Sequence, residues 1–357
     1  MSSRRVAPIQ WLRALAATLV VGVHAANLIE GGPVRVSGPF IPSVPNLAVF
    51  GVSGVDLFFV ISGFVMAQAL SQSHVGPLTF LRQRWLRIVP LFALVSAAYL
   101  LIETAPLPLA AVLMSVTVLP IFDGAGYHQP ALYVGWTLGF EFAFYAVVAL
   151  AIRAPRHRIA ALLASTTSAA LIGGVVNFGW APVRLLFNPL MLEFALGITV
   201  WILWRRGITS RIAAPALVSG IALLAIGIAV GLGPFVSGDA AAAVAGTTGF
   251  ARSWTWGLPW ALVVTGMIDT RPAGRVEQVI AHVGDASYST YLIHPCLIAL
   301  LWRIGPDLPD CSAGAFVTMF VVVSTLAGLA VHRSVERPLL TLIARRRAAS
   351  VGETALA

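Results

Sequence analysis

The sequence contains no lysine: all 23 of its basic residues are arginine. It holds little charge of either sign, 10% charged residues against 58% hydrophobic ones, with a mean hydropathy of +0.88. Soluble domains carry about 25% charged residues, so this composition excludes a water-soluble chain and indicates a polytopic helical membrane protein. Cysteine is nearly absent. Cys296 falls in an apolar run and Cys311 in a connecting segment, which leaves no disulfide framework. No His, Cys or carboxylate spacing resembles a metal site, so no metal is expected. No cleavable signal peptide is expected, because the first apolar run is too long for an h-region and another span follows it.

What is present is a series of apolar runs of about 17 to 25 residues, each long enough to cross a bilayer. They fall at 10–29, 47–70, 88–104, 132–152, 158–177, 185–204, 212–232, 250–268, 286–304 and 313–333. An eleventh run, 108–122, is short and interrupted by Pro108 and Pro120. If it does not cross, and the N-terminus lies inside, the arginine clusters at 4–5, 82–87, 153–158, 205–211, 271–275 and 333–347 all fall on the cytoplasmic side. Only Arg35, Arg184, Arg252 and Arg303 are then outside, as the positive-inside rule requires. The net charge of +9 is explained by this distribution rather than by a nucleic-acid partner. The fold predicted is therefore all-α, with ten transmembrane helices and a short re-entrant or interfacial helix around a polar central channel. Residues 1–345 form one transmembrane domain and 346–357 a short, disordered cytoplasmic tail. The longest external segments, 30–46 and 233–249, are rich in Gly, Pro, Ser and Ala and can form only caps. Trp254, Trp256 and Trp260 have the composition of an interfacial aromatic belt.

Ionisable residues inside the spans are the functional signal, since they are costly to bury in lipid and face the bundle interior or a wet cavity. Arg13 and His24 are eleven residues apart, about three helical turns, so both project from one face about 16 Å apart. Asp56 lies about nine residues down the second span and Glu141 about nine down the fourth, at depths comparable with His24. Three ionisable groups at one depth fit a histidine base whose tautomer and charge are set by a carboxylate neighbour. Each also has a plainer role open to it: His24 as a hydrogen-bonded packing element, Asp56 and Glu141 as counter-charges for Arg13 or partners of broken helix ends. Glu193 is a fourth intramembrane acid and reads as structural.

Arg84 and Arg87, at i and i+3, share a helix face just before Pro90. With Arg13 and Arg82 they make a basic mouth beneath His24, suited either to the phosphates of an anionic donor or to lipid headgroups. Near the start of the ninth span, Ser287, Tyr291 and His294 recur at i, i+4 and i+7 as a polar stripe facing the channel, with Asp285 placed to cap the helix. They either touch substrate or brace the cavity.

Taken in order, several blocks carry a resemblance. They are Arg13 with ten residues before His24, Gly54-Val-Asp-Leu-Phe-Phe-Val-Ile-Ser-Gly63, Arg84-x-x-Arg87-Ile-Val-Pro90, Trp136-Thr-Leu-x-x-Glu141, Ser287-Tyr-Ser-x-Tyr-Leu-x-His294-Pro and Glu336-Arg-Pro338. Together they resemble the acyltransferase-3 family, bacterial inner-membrane O-acyltransferases that modify surface glycans, and most of all its short exopolysaccharide-production members. The resemblance implies transfer of an acyl group, commonly acetyl, from cytoplasmic acyl-CoA to a hydroxyl of a polysaccharide or lipid-linked glycan. It implies His24 as catalytic histidine, Arg13 as part of the same essential pair, and Arg84 and Arg87 as donor-binding arginines. It also implies an inner-membrane, multi-pass protein with both termini cytoplasmic. From another class, His24, Asp56 and Glu141 would also serve as the proton relay of a transporter or flippase for a glycan or organic anion.

Overall fold

The computed structural model describes residues 6–37, 50–72, 75–103, 108–118, 122–123, 126–127, 129–176, 178–231, 240–272, 274–305 and 309–354. Of the external segments expected at 30–46 and 233–249, residues 38–46 and 233–239 lie outside these residues. Nearly everything described is helical, and eight helices are long and apolar enough to cross a membrane: Ala7–Gly31, Ser53–Gln72, Pro77–Ile102, Tyr133–Ala151, Arg158–Val175, Pro182–Arg205, Thr209–Val230 and Ala313–Arg345. The chain is a multi-pass membrane protein. Two further spans expected from the sequence are also helical but more polar: Gly249–Met267, built from two α-helical pieces around a π-helical turn at Ser253–Gly257, and Ser287–Ile304.

The first three long helices, α1 (Ala7–Gly31), α2 (Ser53–Gln72) and α3 (Pro77–Ile102), start where the sequence supplies a helix-compatible proline or a small residue. The third begins eleven residues before the predicted 88–104. Pro77 sets its first turn, and apolar Phe80 and Leu81 continue the inward face, so Arg82, Arg84 and Arg87 lie on the helix itself rather than ahead of it. The run at 108–122 contributes α4 (Leu109–Thr117), a nine-residue helix of about 13 Å, too short to cross a core of about 30 Å. It is followed by a small antiparallel pairing of Phe122–Asp123 with Gly126–Tyr127. Next come α5 (Trp136–Ala151), α6 (Arg158–Val175), the short α7 (Ala181–Leu186), α8 (Met191–Arg205) and α9 (Thr209–Val230), the last ended by Gly231 in the left-handed region. The remaining helices are α10 (Ala240–Ala245), α11 (Gly249–Arg252), α12 (Leu258–Met267), α13 (Arg275–Asp285), α14 (Ser287–Ile304), α15 (Ala313–Val331) and α16 (Arg337–Thr354).

Three sequence expectations change here. Asp285 does not cap α14; it ends α13, and Ala286 alone joins the two helices. That helix is held against α1 by a hydrogen bond from Trp11 Nε1 to the Glu277 carbonyl (2.9 Å) and by contact between Gly284 and the Gln10 backbone. The tail read as disordered continues α16 to Thr354, in keeping with its run of alanine and arginine, both strong helix formers. Of the three tryptophans read as a belt, only Trp254 is exposed; Trp256 and Trp260 are buried, and Trp260 Nε1 donates to Ser53 Oγ (3.0 Å).

One large apolar core joins α2, α3, α5, α8, α12 and α14, and a smaller one, built on Val21, Leu28, Phe316 and Phe320, fastens α1 to α15. In lipid the packing of small residues drives helix association more than water exclusion does. The crossing of α2 and α8 depends on it: a methyl placed on Gly63 would meet the Phe194 carbonyl, and one on Gly197 the Val60 carbonyl. Gly197→Ala is therefore expected to cost about 1–3 kcal/mol, the usual range for overpacking a tight site. Thermal unfolding of the detergent-solubilised protein checks this; an unchanged midpoint would show that the two backbones can separate freely.

Candidate active site

The cavity lies at the end of the bundle where α1 begins. Together with the solvent space at its open mouth its volume is about 980 Å³, and its polar wall carries Arg13, Arg84, Arg87, Glu141, Tyr145, Ser287 and Glu336. Above these the wall turns apolar, with Val55, Phe58, Phe59, Ile61, Val65 and Leu138, and Thr137 and Tyr291 also line it. All three predicted donor-binding arginines thus converge on one space. Arg84 is held flat by aromatic faces, its guanidinium carbon 5.2 Å from the Phe80 ring centre and 5.8 Å from that of Tyr145. Its Nε is buried without a hydrogen-bond partner, as is Ser287 Oγ. Buried polar atoms are normally satisfied, so the cavity wall presents two polar groups with unmet demand.

The acids in this wall are already engaged. Glu141 Oε1 accepts from Ser62 Oγ (2.7 Å) and from Tyr145 Oη (2.5 Å). Glu336 closes a second π-helical turn, His332–Glu336, and its Oε2 accepts from Ser289 Oγ (2.6 Å) and lies 2.7 Å from His332 Nδ1. Glu141 therefore faces the arginines and does not orient His24.

His24 sits beyond the cavity's apolar end. Tyr291 stands between: its hydroxyl donates to the Val134 carbonyl (2.8 Å) and lies 3.0 Å from Thr137 Oγ1, while its ring meets Phe58 on one side and His294 on the other. His294 is fully buried and its Nε2 is 2.9 Å from Nδ1 of His24. The two rings lie within 21° of coplanar, and Tyr133 presents an edge to His24 with centroids 5.3 Å apart. The stripe on α14 thus divides its work, Ser287 and Tyr291 on the cavity and His294 on the histidine.

Asp56 is elsewhere. Its carboxylate takes a bidentate pair from Arg252, Nε to Oδ1 at 3.0 Å and Nη2 to Oδ2 at 2.7 Å, with both side chains fully buried. Glu193 lies beside the Ser253–Gly257 turn, 3.4 Å from Ser253 Oγ. The expectation that Asp56 orients His24 is corrected on this ground: a guanidinium fork occupies both of its oxygens. Arg252, which charge counting had placed outside, is drawn in by the same pairing. Among the described residues no three His, Cys, Asp or Glu side chains converge on a point.

Ser62, Thr137, Tyr145 and Glu336 carried no predicted role. All lie inside or next to the recognisable sequence blocks, which was the available signal. Arg252 lay in none of them.

The chain matches the family description "Acyltransferase domain" over residues 6–333. It belongs to the acyltransferase-3 family. It is 33% identical over 311 residues to the exopolysaccharide production protein ExoZ of Rhizobium meliloti, covering 81% of this chain and 90% of that one. It is 29% identical to the putative membrane-bound transacylase BcsY of Komagataeibacter xylinus, over 91% of this chain and 82% of that one. With the acyltransferase MdmB of Streptomyces mycarofaciens the identity is 26%, over 85% and 84%. No solved structure matches it.

Breaking the buried pair should be costly, since a lone charge would remain in the core. Asp56→Ala or Arg252→Ala is expected to destabilise by about 3–5 kcal/mol, whereas the apolar double variant Asp56→Leu/Arg252→Met recovers much of that loss. Denaturation in detergent of the three variants measures it; a double variant no better than the singles would show that the bridge also serves the fold by its charge.

Proposed function

We propose that the protein is a membrane O-acyltransferase that moves an acyl group, acetyl in the first instance, from cytoplasmic acyl-CoA to a hydroxyl of an exported carbohydrate. The observation that carries this is the arginine-lined cavity ending one side chain short of a histidine pair. Arg13, Arg84 and Arg87 offer guanidinium forks to phosphate. The partnerless Ser287 Oγ and Arg84 Nε provide further polar contacts for the donor, and the apolar upper wall accepts its acyl end. The carbohydrate acceptor is proposed from the family and from the name of the exopolysaccharide relative.

In this reading the protein has ten transmembrane helices with both termini cytoplasmic in a bacterial inner membrane, the two polar helices Gly249–Met267 and Ser287–Ile304 completing the bundle and α4 lying at the interface. The donor enters from the cytoplasmic end and threads its thioester past Tyr291. His24 takes the proton of the acceptor hydroxyl as the oxygen attacks the thioester carbonyl. The C–S bond then breaks, an ester forms, and the thiolate leaves as free CoA once it has received that proton. Holding both reactants in a channel closed to bulk water favours transfer over hydrolysis. A proton relay through His24, Asp56 and Glu141 has less support, because Asp56 is locked on Arg252 and Glu141 faces the arginines.

Proteoliposomes containing the protein, radiolabelled acetyl-CoA and a lipid-linked glycan test this reading. Label is expected in the glycan with wild type and at least about 100-fold less with His24→Ala, the usual contribution of a general base. Arg84→Ala/Arg87→Ala is expected to weaken donor binding tenfold or more, about 1.4 kcal/mol. Proton-coupled flux without CoA release would replace the enzyme reading with a transporter.

A further inference from the structure

The contact between the two imidazoles can be read one proton at a time. An N···N hydrogen bond holds a single hydrogen, so of His24 Nδ1 and His294 Nε2, 2.9 Å apart, one donates and the other accepts. The second nitrogen of His294 decides which. Its Nδ1 faces the Thr290 carbonyl at 3.3 Å, and a carbonyl oxygen only accepts, so that nitrogen carries hydrogen. His294 is fully buried; among the described residues its polar and ring contacts are Thr290, the Tyr291 ring and His24, and no carboxylate is among them. A buried cation without a counter-charge is strongly disfavoured, so the ring is neutral and its Nε2 bare. His24 must therefore donate from Nδ1, which leaves the lone pair of its neutral ring on Nε2. That nitrogen has no hydrogen-bond partner among the described residues and is not among their buried unsatisfied atoms.

We propose that His294 is a positioning residue that fixes His24 as its Nδ1–H tautomer and so makes Nε2 the atom that takes the acceptor's proton. The proposal rests on the reading of His24 as the base. A histidine left in water favours the opposite tautomer, with hydrogen on Nε2, so the contact inverts the intrinsic preference of the ring. When Nε2 takes the hydroxyl proton, His24 becomes a cation whose Nδ1–H still points at the bare Nε2 of His294. The partner steadies that charge without gaining or losing a proton. Since Nε2 later returns its proton to the departing sulfur, both rings end as they began.

Two measurements test this. Solid-state nitrogen NMR on protein labelled with nitrogen-15 at its seven histidines, reconstituted in lipid and assigned by comparison with His24→Ala, reads the tautomer without any activity. Expected is a His24 with protonated Nδ1 and bare Nε2, changing to protonated Nε2 in His294→Leu. In the acyl-transfer assay, His294→Leu is expected to lower kcat about 10- to 100-fold, the loss of one hydrogen bond at a buried site, with little change in KM for acetyl-CoA. His294→Gln places an amide oxygen where Nε2 stood and should restore most of that loss. Protonated Nε2 in the wild-type protein overturns the proposal, as does a Gln variant as slow as the Leu variant while both remain monodisperse. If wild type transfers no acyl group, the base reading fails on its own while the spectrum still decides the tautomer.

Discussion

Inside a bilayer a charge must find its partner within the protein, and in this chain the Asp56–Arg252 bridge meets that requirement most fully. A fork of two short hydrogen bonds between fully buried side chains draws the Gly249–Arg252 helix onto α2 and leaves Glu193 beside it at the same turn. Apart from these buried charges, polar groups gather in two separate places. Arginines, Ser287 and the two engaged glutamates surround the cavity, and a pair of histidine rings lies beyond it. Tyr291 touches both and belongs wholly to neither.

This separation would suit the proposed reaction, whose two substrates differ much in charge. The cavity end is cationic and aromatic-braced, whereas the described hydrogen-bond partner of His24 is the second histidine. The same α14 helix serves both ends because its polar residues recur at helical spacing, so the distance between the cavity and the histidine pair is set by about two turns of one helix.

Much of this was legible beforehand. Long apolar runs foretold all eight helices that are long and apolar enough to cross a membrane. The cavity arginines and the Ser287, Tyr291, His294 stripe were readable for the same reason, since periodicity is a local property. Pairing is not. Asp56 meets a residue 196 positions away and His24 one 270 positions away, and nothing in local pattern distinguishes those partners from Glu141 or Glu193. Helix extent was missed at α3 because arginines lower local hydropathy even when they face an internal space, and Arg252 was assigned outside because charge counting assumes that an arginine seeks water.

Both π-helical turns sit beside a buried carboxylate: Arg252, which holds Asp56, immediately precedes one, and Glu336 ends the other. A π turn is a helix carrying one surplus residue. Losing that residue would not merely shorten the chain; it would rotate everything downstream by about 100° about the helix axis, presenting to lipid what had faced inward. At these two places the length of the chain is thus as constrained as the chemistry of its side chains, so an insertion or deletion harmless in a loop would here disassemble a face of the bundle.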